Sequence, residues 1–330
     1  MAQNPMAQSP HRRRPVSLGI VLLGVLLGVL PAGCTSAGSG KAGAGSGKTG
    51  AGTSASPTTG GHGQAVSPPA TRVSGTYVAL GDSFTAAPLA HEEGGGSSAA
   101  CLRSAQDYPA LAAAALRPSS FVNVSCFGAS TVDMFQAQRA GTPPQLNALS
   151  AADALVTVQV GGDDLGVSRI GTTCAALSLT NPFGNPCQKH YTAGGTDQLA
   201  RAVAQTGPKV ASVLTAIRQH APHARVLLVG YPDILPVSGN GCWPELAVAR
   251  GDVPYLRGIE NQLNAMLAVT AAAHGVTFVD TYAASVGHDA CQRPGTKWVE
   301  GLIPTSLAVP LHPNALGEQA MAREIEQALR

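Results

Sequence analysis

The chain has 330 residues, of which only 12% are charged and 4% are aromatic, and its formal net charge is +2. That balance supplies neither a basic stripe for a phosphate backbone nor an aromatic platform for stacked bases, so a nucleic-acid partner is not expected.

Arg12-Arg13-Arg14 precedes an apolar stretch, Val16 to Leu30, that only Ser and Gly interrupt. The stretch is too short for a comfortable membrane span and has the flanks of an export signal. Pro31-Ala32-Gly33-Cys34 sets small residues directly before a Cys, which resembles a bacterial lipobox, although Leu30 lies one place early and Pro31 holds the usual Leu position. Residues 1–34 are therefore read as a lipoprotein-type signal peptide. Lipidation of Cys34 would anchor the protein at the extracellular side of the cell membrane; the alternative is cleavage nearby and free secretion. Residues 35–75 are mostly Gly, Ser, Ala and Thr and form a flexible linker. Gly47-Lys48-Thr49 imitates the end of a phosphate loop but has no strand before it and no helix after it.

The folded part is expected over 76–330, as one domain and a monomer. Its six cysteines, an even number in an exported chain, suggest three disulfides. Fifteen connectivities are formally open. Pairing between sequence neighbours is favoured: Cys101–Cys126, Cys174–Cys187 and Cys242–Cys291. Metal binding is the less favoured alternative, because no Cys-x-x-Cys pair exists.

Strand-like runs at 76–80, Phe121 to Val124, Ala154 to Val160, Ala224 to Val229 and Val276 to Asp280 alternate with helical patterns. The helices are expected at Asp107 to Leu116, Asp197 to His220, Tyr255 to His274 and Pro313 to Leu329. Gly207-Pro208 should kink or break the second of these, and Pro313 should be the first residue of the last. Ala87 to Ala105, Gly166 to Gly195 and Ser238 to Pro254 read as long surface loops, each carrying Cys. The alternation argues for an α/β fold, a flavodoxin-like three-layer sandwich around a five-stranded parallel sheet.

Four short stretches fall at carboxyl ends of strands or in loops there. Gly81-Asp82-Ser83 ends the first strand, and Ser125-Cys126-Phe127-Gly128 follows the second. Gly161-Gly162-Asp163-Asp164 follows the third, and His312-Pro313-Asn314 opens the final helix. In this order and spacing they resemble the SGNH, or GDSL, family of serine esterases and lipases, over the whole domain from Tyr77 onward. Gly230-Tyr231-Pro232, Lys297-Trp298-Val299-Glu300 and the six cysteines are similar to its secreted actinobacterial branch.

The resemblance implies a carboxylic ester hydrolase that needs no cofactor and no metal. Ser83 would be the nucleophile and His312 the base that activates it. The backbone N–H groups of Ser83 and Gly128 would face the oxyanion. Two positions depart from the family. Asp163 stands where an Asn side chain usually supplies a third oxyanion donor; an ionised carboxylate donates nothing, so Asp163 helps only if it is protonated, or if it turns away and accepts from a backbone N–H. Val309 stands where an Asp commonly orients the His, which leaves a main-chain carbonyl of Val309 or Pro310, or a distant acid such as Asp280 or Asp289. Asp82 reads as a turn and cap residue. As a metal or glycosidase pair, Asp163-Asp164 is disfavoured, because adjacent carboxylates on an extended chain point to opposite sides. The substrate implied is an acyl lipid or small ester. A catalytically impaired cell-surface binding protein and a carbohydrate O-acetyl esterase are the alternatives.

Overall fold

The computed structural model describes residues 72–90 and 96–330. The expected signal peptide at 1–34, lipidation at Cys34 and nearly all of the 35–75 linker lie outside the described residues. In chain order the elements are β1 (Thr76–Gly81), α1 (Ser83–Ala86), α2 (Tyr108–Leu116), β2 (Ser120–Asn123), α3 (Thr131–Phe135), β3 (Asp153–Gln159) and α4 (Gly162–Leu165). Then follow α5 (Val167–Ser178), α6 (Pro186–Tyr191), α7 (Gln198–His220), β4 (Arg225–Val229), α8 (Val253–Ala273), β5 (Thr277–Val279), α9 (Thr281–Ser285) and α10 (Ala315–Ala328).

The strands lie in the order β2-β1-β3-β4-β5 and all pair in parallel, which is the flavodoxin-like arrangement. Successive residues of a strand face opposite sides, and here both sides are apolar. Val78, Leu80, Val156, Val158 and Leu228 pack under Val210, Leu214 and Ile217 of α7 and Leu263 and Leu267 of α8. Tyr77, Ala79, Leu155, Leu227 and Val229 pack against Tyr108 and Leu116 of α2 and Met321 and Ile325 of α10. The three layers follow from that alternation. The chain leaves β1 for β2 on one side and returns for β3 on the other, so the carboxyl ends of β1 and β3 flank the crevice where such sheets hold their sites.

Three expectations need correction. Residues 166–195 are not a loop: they hold α5 and α6. Ile170, Cys174 and Ser178, four residues apart, form the buried face of α5, and Cys174–Cys187 ties the two helices together. Pro208 does not break α7, which runs from Gln198 to His220. A helix-interior Pro costs roughly 3 kcal/mol, and this is outweighed by burying Val203, Val210, Val213, Leu214 and Ile217 at about 1.5–3 kcal/mol each. Pro313 lies before α10 rather than at its first position, because Asn314 is the cap and its side chain accepts from the N–H groups of Leu316 and Gly317. Among the described residues no helix is long and apolar enough to cross a membrane.

Candidate active site

β1 ends in a backbone held from several directions. The side-chain amide of Gln145 accepts from the Gly81 N–H at 2.8 Å and donates to the Gly81 carbonyl at 2.9 Å. Asp82 then caps α1 by accepting from the Phe84 N–H at 2.9 Å. Ser83 is the first residue of that short helix and is buried. The cap reading of Asp82 agrees with this, but a second partner was not foreseen. Tyr231, in the loop after β4, donates its hydroxyl to the other carboxylate oxygen of Asp82 and accepts the Gly162 N–H at 2.9 Å. One buried phenol therefore ties the turn after β1 to the turn after β3. Burial and the charge of Asp163 push Asp82 well above the usual carboxylate range, against the bonds from Tyr231 and Phe84.

His312 reaches Ser83 across 229 residues of sequence, with Nε2 at 2.7 Å from Oγ. Its other ring nitrogen, Nδ1, lies 2.9 Å from the Pro310 carbonyl. That carbonyl accepts only if Nδ1 carries the proton, which leaves Nε2 free to take the one on Ser83. No carboxylate takes that role among the described residues: Asp280 caps α9 through the Ala283 N–H, and Asp289 accepts from the Cys291 N–H and the Gln292 side chain. Burial lowers the pKa of His312 to about 4, partly opposed by the Pro310 carbonyl, so the ring is neutral above that pH. It stacks on Phe84, with centroids 4.7 Å apart, and faces Phe127 at 6.2 Å.

The loop that carries His312 rests on the Lys297-Trp298-Val299-Glu300 segment. The Glu300 N–H donates to the His312 carbonyl at 3.0 Å, and the Asn314 N–H donates to the Trp298 carbonyl at 2.8 Å. Asn314 also donates its side chain to Glu300 Oε1 and to the Lys297 carbonyl. Lys297 Nζ lies 3.1 Å from Glu300 Oε2 in a buried ion pair. Against the cost of burial, the bonds from Asn314, Thr305 and Lys297 hold Glu300 below its ordinary range.

Gly128 sits on the loop after β2, beside Phe127, with φ +75, a conformation that favours Gly. The Phe127 carbonyl accepts from Gln138 and Arg139, the Phe127 N–H donates to the Cys101 carbonyl, and a Cys101–Cys126 disulfide closes the loop. Among the described residues neither the Ser83 nor the Gly128 N–H has a protein acceptor, so both are free to donate. The other disulfides are Cys174–Cys187 and Cys242–Cys291.

Asp163 and Asp164 lie on the helical turn α4, not on the extended chain expected. Asp164 accepts from the Thr131 N–H and hydroxyl at 2.8 and 2.6 Å and pairs with Lys209 at 3.3 Å. The Asp163 carbonyl accepts the Gly166 N–H at 3.1 Å, but its carboxylate accepts from no described residue. Burial first, then the charges of Asp164 and Asp133, raise its pKa to about 6. Among the described residues no group of acidic, His or Cys side chains is arranged to hold a metal ion.

Tyr231→Phe tests the bridge between the two turns. The change strips the buried Asp82 of one of its two donors, which should cost about 1–3 kcal/mol of stability. It also loosens the turn that carries Ser83, and kcat should fall roughly 10- to 100-fold with KM nearly unchanged. Thermal unfolding beside steady-state kinetics reads both effects. A fall confined to stability would leave Tyr231 without a positioning role.

The GDSL-like lipase/acylhydrolase family model matches residues 79–320. Lipase 2 of Streptomyces coelicolor is 38% identical over 262 residues, which is 77% of this chain and 85% of that protein. The crystal structure of phospholipase A1 from Streptomyces albidoflavus NA297 superposes with a TM-score of 0.65 at 30% identity, covering 77% of this chain and 98% of that one. An extracellular lipase from Streptomyces rimosus gives 0.58 at 26% identity, over 77% and 99%.

Proposed function

We propose, from the premise that the chain belongs to the GDSL-like lipase/acylhydrolase family and is an ester hydrolase of it, that it works as a Ser–His enzyme through a covalent acyl-enzyme. The observation that carries this reading is the 2.7 Å contact between Ser83 Oγ and His312 Nε2 beside two unengaged N–H groups. Ser83 Oγ attacks the ester carbonyl carbon as its proton passes to Nε2. The electron pair displaced onto the carbonyl oxygen meets the Ser83 and Gly128 N–H groups. The imidazolium returns the proton to the departing alcohol, and water repeats the sequence on the acyl-enzyme. The Pro310 carbonyl holds the ring in the tautomer that both steps need.

The substrate class proposed is the acyl lipid. Leu89 and Leu307 are exposed on the two loops joined by a Val309 N–H to Pro88 carbonyl bond next to His312. Val132 and Phe135 are exposed on α3, just after Gly128. Such a rim suits a fatty acyl chain better than a sugar. Export and a lipid anchor on Cys34 belong to the same proposal; their support is the Arg12-Arg13-Arg14 leader and the small residues before that Cys.

Rapid mixing with p-nitrophenyl butyrate should release a burst of nitrophenolate close to one equivalent per active site before the steady state, provided deacylation is the slower step. Trapping of butyrate on Ser83, seen as a mass increase on its peptide, would complete the demonstration. A burst absent together with no acylated peptide would sink the covalent route.

A further inference from the structure

Asp163 stands apart from every acid around it. Asp82 accepts from Phe84 and Tyr231. Asp133 accepts from the Ser130 N–H and hydroxyl at 2.7 and 2.8 Å. Asp164 accepts from Thr131 and Lys209. Each of these carboxylates has hydrogen-bond donors, whereas the Asp163 carboxylate has none among the described residues. The groups that face it are acids or a phenol: Asp164 on its own turn, Asp133 on α3, Asp82 after β1 and the Tyr231 phenol after β4. Lys209 of α7 is turned to Asp164, and the Arg169 guanidinium of α5 lies against Gly166 with no bond to Asp163 among the described residues. Its position is on the rim of the site. Gly81 of β1 pairs with Gln159 of β3; Ser83 follows the first by two residues and Asp163 the second by four. The Tyr231 hydroxyl joins the two turns through Asp82 and Gly162.

We propose that Asp163 serves this site as a neutral carboxylic acid, donating its O–H to the oxyanion beside the Ser83 and Gly128 N–H groups, and that it thereby confines efficient turnover to mildly acidic solution. The inference rests on the Ser83–His312 reading above. During attack the Ser83 proton goes to His312 Nε2 and the carbonyl electron pair to oxygen; Asp163 lends a hydrogen bond and keeps its own proton. The neutral form is the one a half-buried carboxyl without donors prefers, since desolvation and like charges both penalise the ion. The sign follows directly. Asp163 is protonated below about 6, and His312 is unprotonated above about 4. Both groups are in the required form only between these limits.

The test is the pH dependence of kcat/KM for the full chain on p-nitrophenyl butyrate from pH 4 to 8. The wild type should peak between the two limits and fall by roughly 25- to 50-fold from pH 6, where about half of Asp163 keeps its proton, to pH 8, where about 1% does, given a loss of about 10²–10³ for one oxyanion donor. Asp163→Asn donates at every pH, so it should hold the acid-side rate to pH 8 while keeping the fall near pH 4. Asp163→Ala should run at the low level from pH 5 to 8 without the acid-side gain. A wild-type profile flat from pH 6 to 8, which requires no variant, would overturn the proposal. So would an Asp163→Asn enzyme that keeps the upper fall. Ser83→Ala separates the two levels of inference: hydrolysis surviving that change sinks the Ser–His reading itself. An inert Ser83→Ala with an unaltered upper fall in Asp163→Asn sinks only the role of Asp163.

Discussion

Ser83→Ala should lower kcat by at least about 10⁴-fold, His312→Ala should do nearly the same, and the double variant should be little worse than either. The non-additivity is the informative part. Ser83 and His312 share one proton across 2.7 Å. Removing the hydroxyl leaves the imidazole with nothing to activate, and removing the imidazole leaves a hydroxyl that is a poor nucleophile at neutral pH. KM should move little, because neither group is placed to bind substrate far from the reacting carbon. The residual rate would reflect binding and the backbone donors alone. A fluorophosphonate probe supplies the second measurement: the wild type should label at Ser83, His312→Ala should label far more slowly and Ser83→Ala not at all. Two independent, multiplicative losses would mean that the residues do not act as a unit, and the mechanism would have to be redrawn.

Gly81→Ala should cripple both stability and turnover although it touches no reacting group. A Cβ at this position would lie 2.1 Å from Thr85 Oγ1 and 2.9 Å from the Gln159 carbonyl. Neither neighbour is free to retreat. The Thr85 hydroxyl lies 3.3 Å from that of Tyr108 and donates to the Gln159 side chain at 3.2 Å, and the Gln159 carbonyl accepts the Asp82 N–H at 3.1 Å. Gln145 pins the peptide from the other side. Overpacking a site this constrained costs about 1–3 kcal/mol or more. Any relief would come from shifting Asp82 and Ser83, and a shift of the nucleophile of around 1 Å is worth roughly 100-fold in rate. Thermal unfolding and kcat together check the expectation. A stable, fully active Gly81→Ala protein would show that the strand end is softer than its contacts imply.

Much of this arrangement was legible in the sequence. Runs such as Val78 to Leu80 and Leu155 to Val158, short and almost wholly apolar or β-branched, read as strands buried on both faces, and their order with the helices gives the parallel sheet. Gly81-Asp82-Ser83 and His312-Pro313-Asn314 carry their chemistry in contiguous residues, so their place at strand and helix ends could be read directly. What stayed hidden depends on contacts between distant segments. Gln145 looks like any polar residue until the fold sets its amide against both backbone groups of Gly81. Tyr231 stood out only as part of a motif, and its link to Asp82 and Gly162 exists only once β1, β3 and β4 lie side by side. α5 was missed because its buried face is Ile170, Cys174 and Ser178, and a Ser is not counted as apolar. That hydroxyl is buried because it donates to the Cys174 carbonyl and accepts from the Ala249 N–H. Pro208 misled for the opposite reason: a local rule lost to the tertiary packing of α7.

The distance along the chain between Ser83 and His312 has a consequence in time. A ribosome adds roughly 5–20 residues each second, so the 229 positions that separate the pair take on the order of tens of seconds to make. On the proposed reading, Ser83 is without its base throughout that interval. Ser83 can be folded into β1 and α1 and still do nothing to an ester, because the imidazole arrives with the loop that Asn314 clamps to Lys297 and Glu300. On the proposed Ser–His reading, hydrolysis therefore cannot begin before the loop that carries His312 has been made and clamped in place.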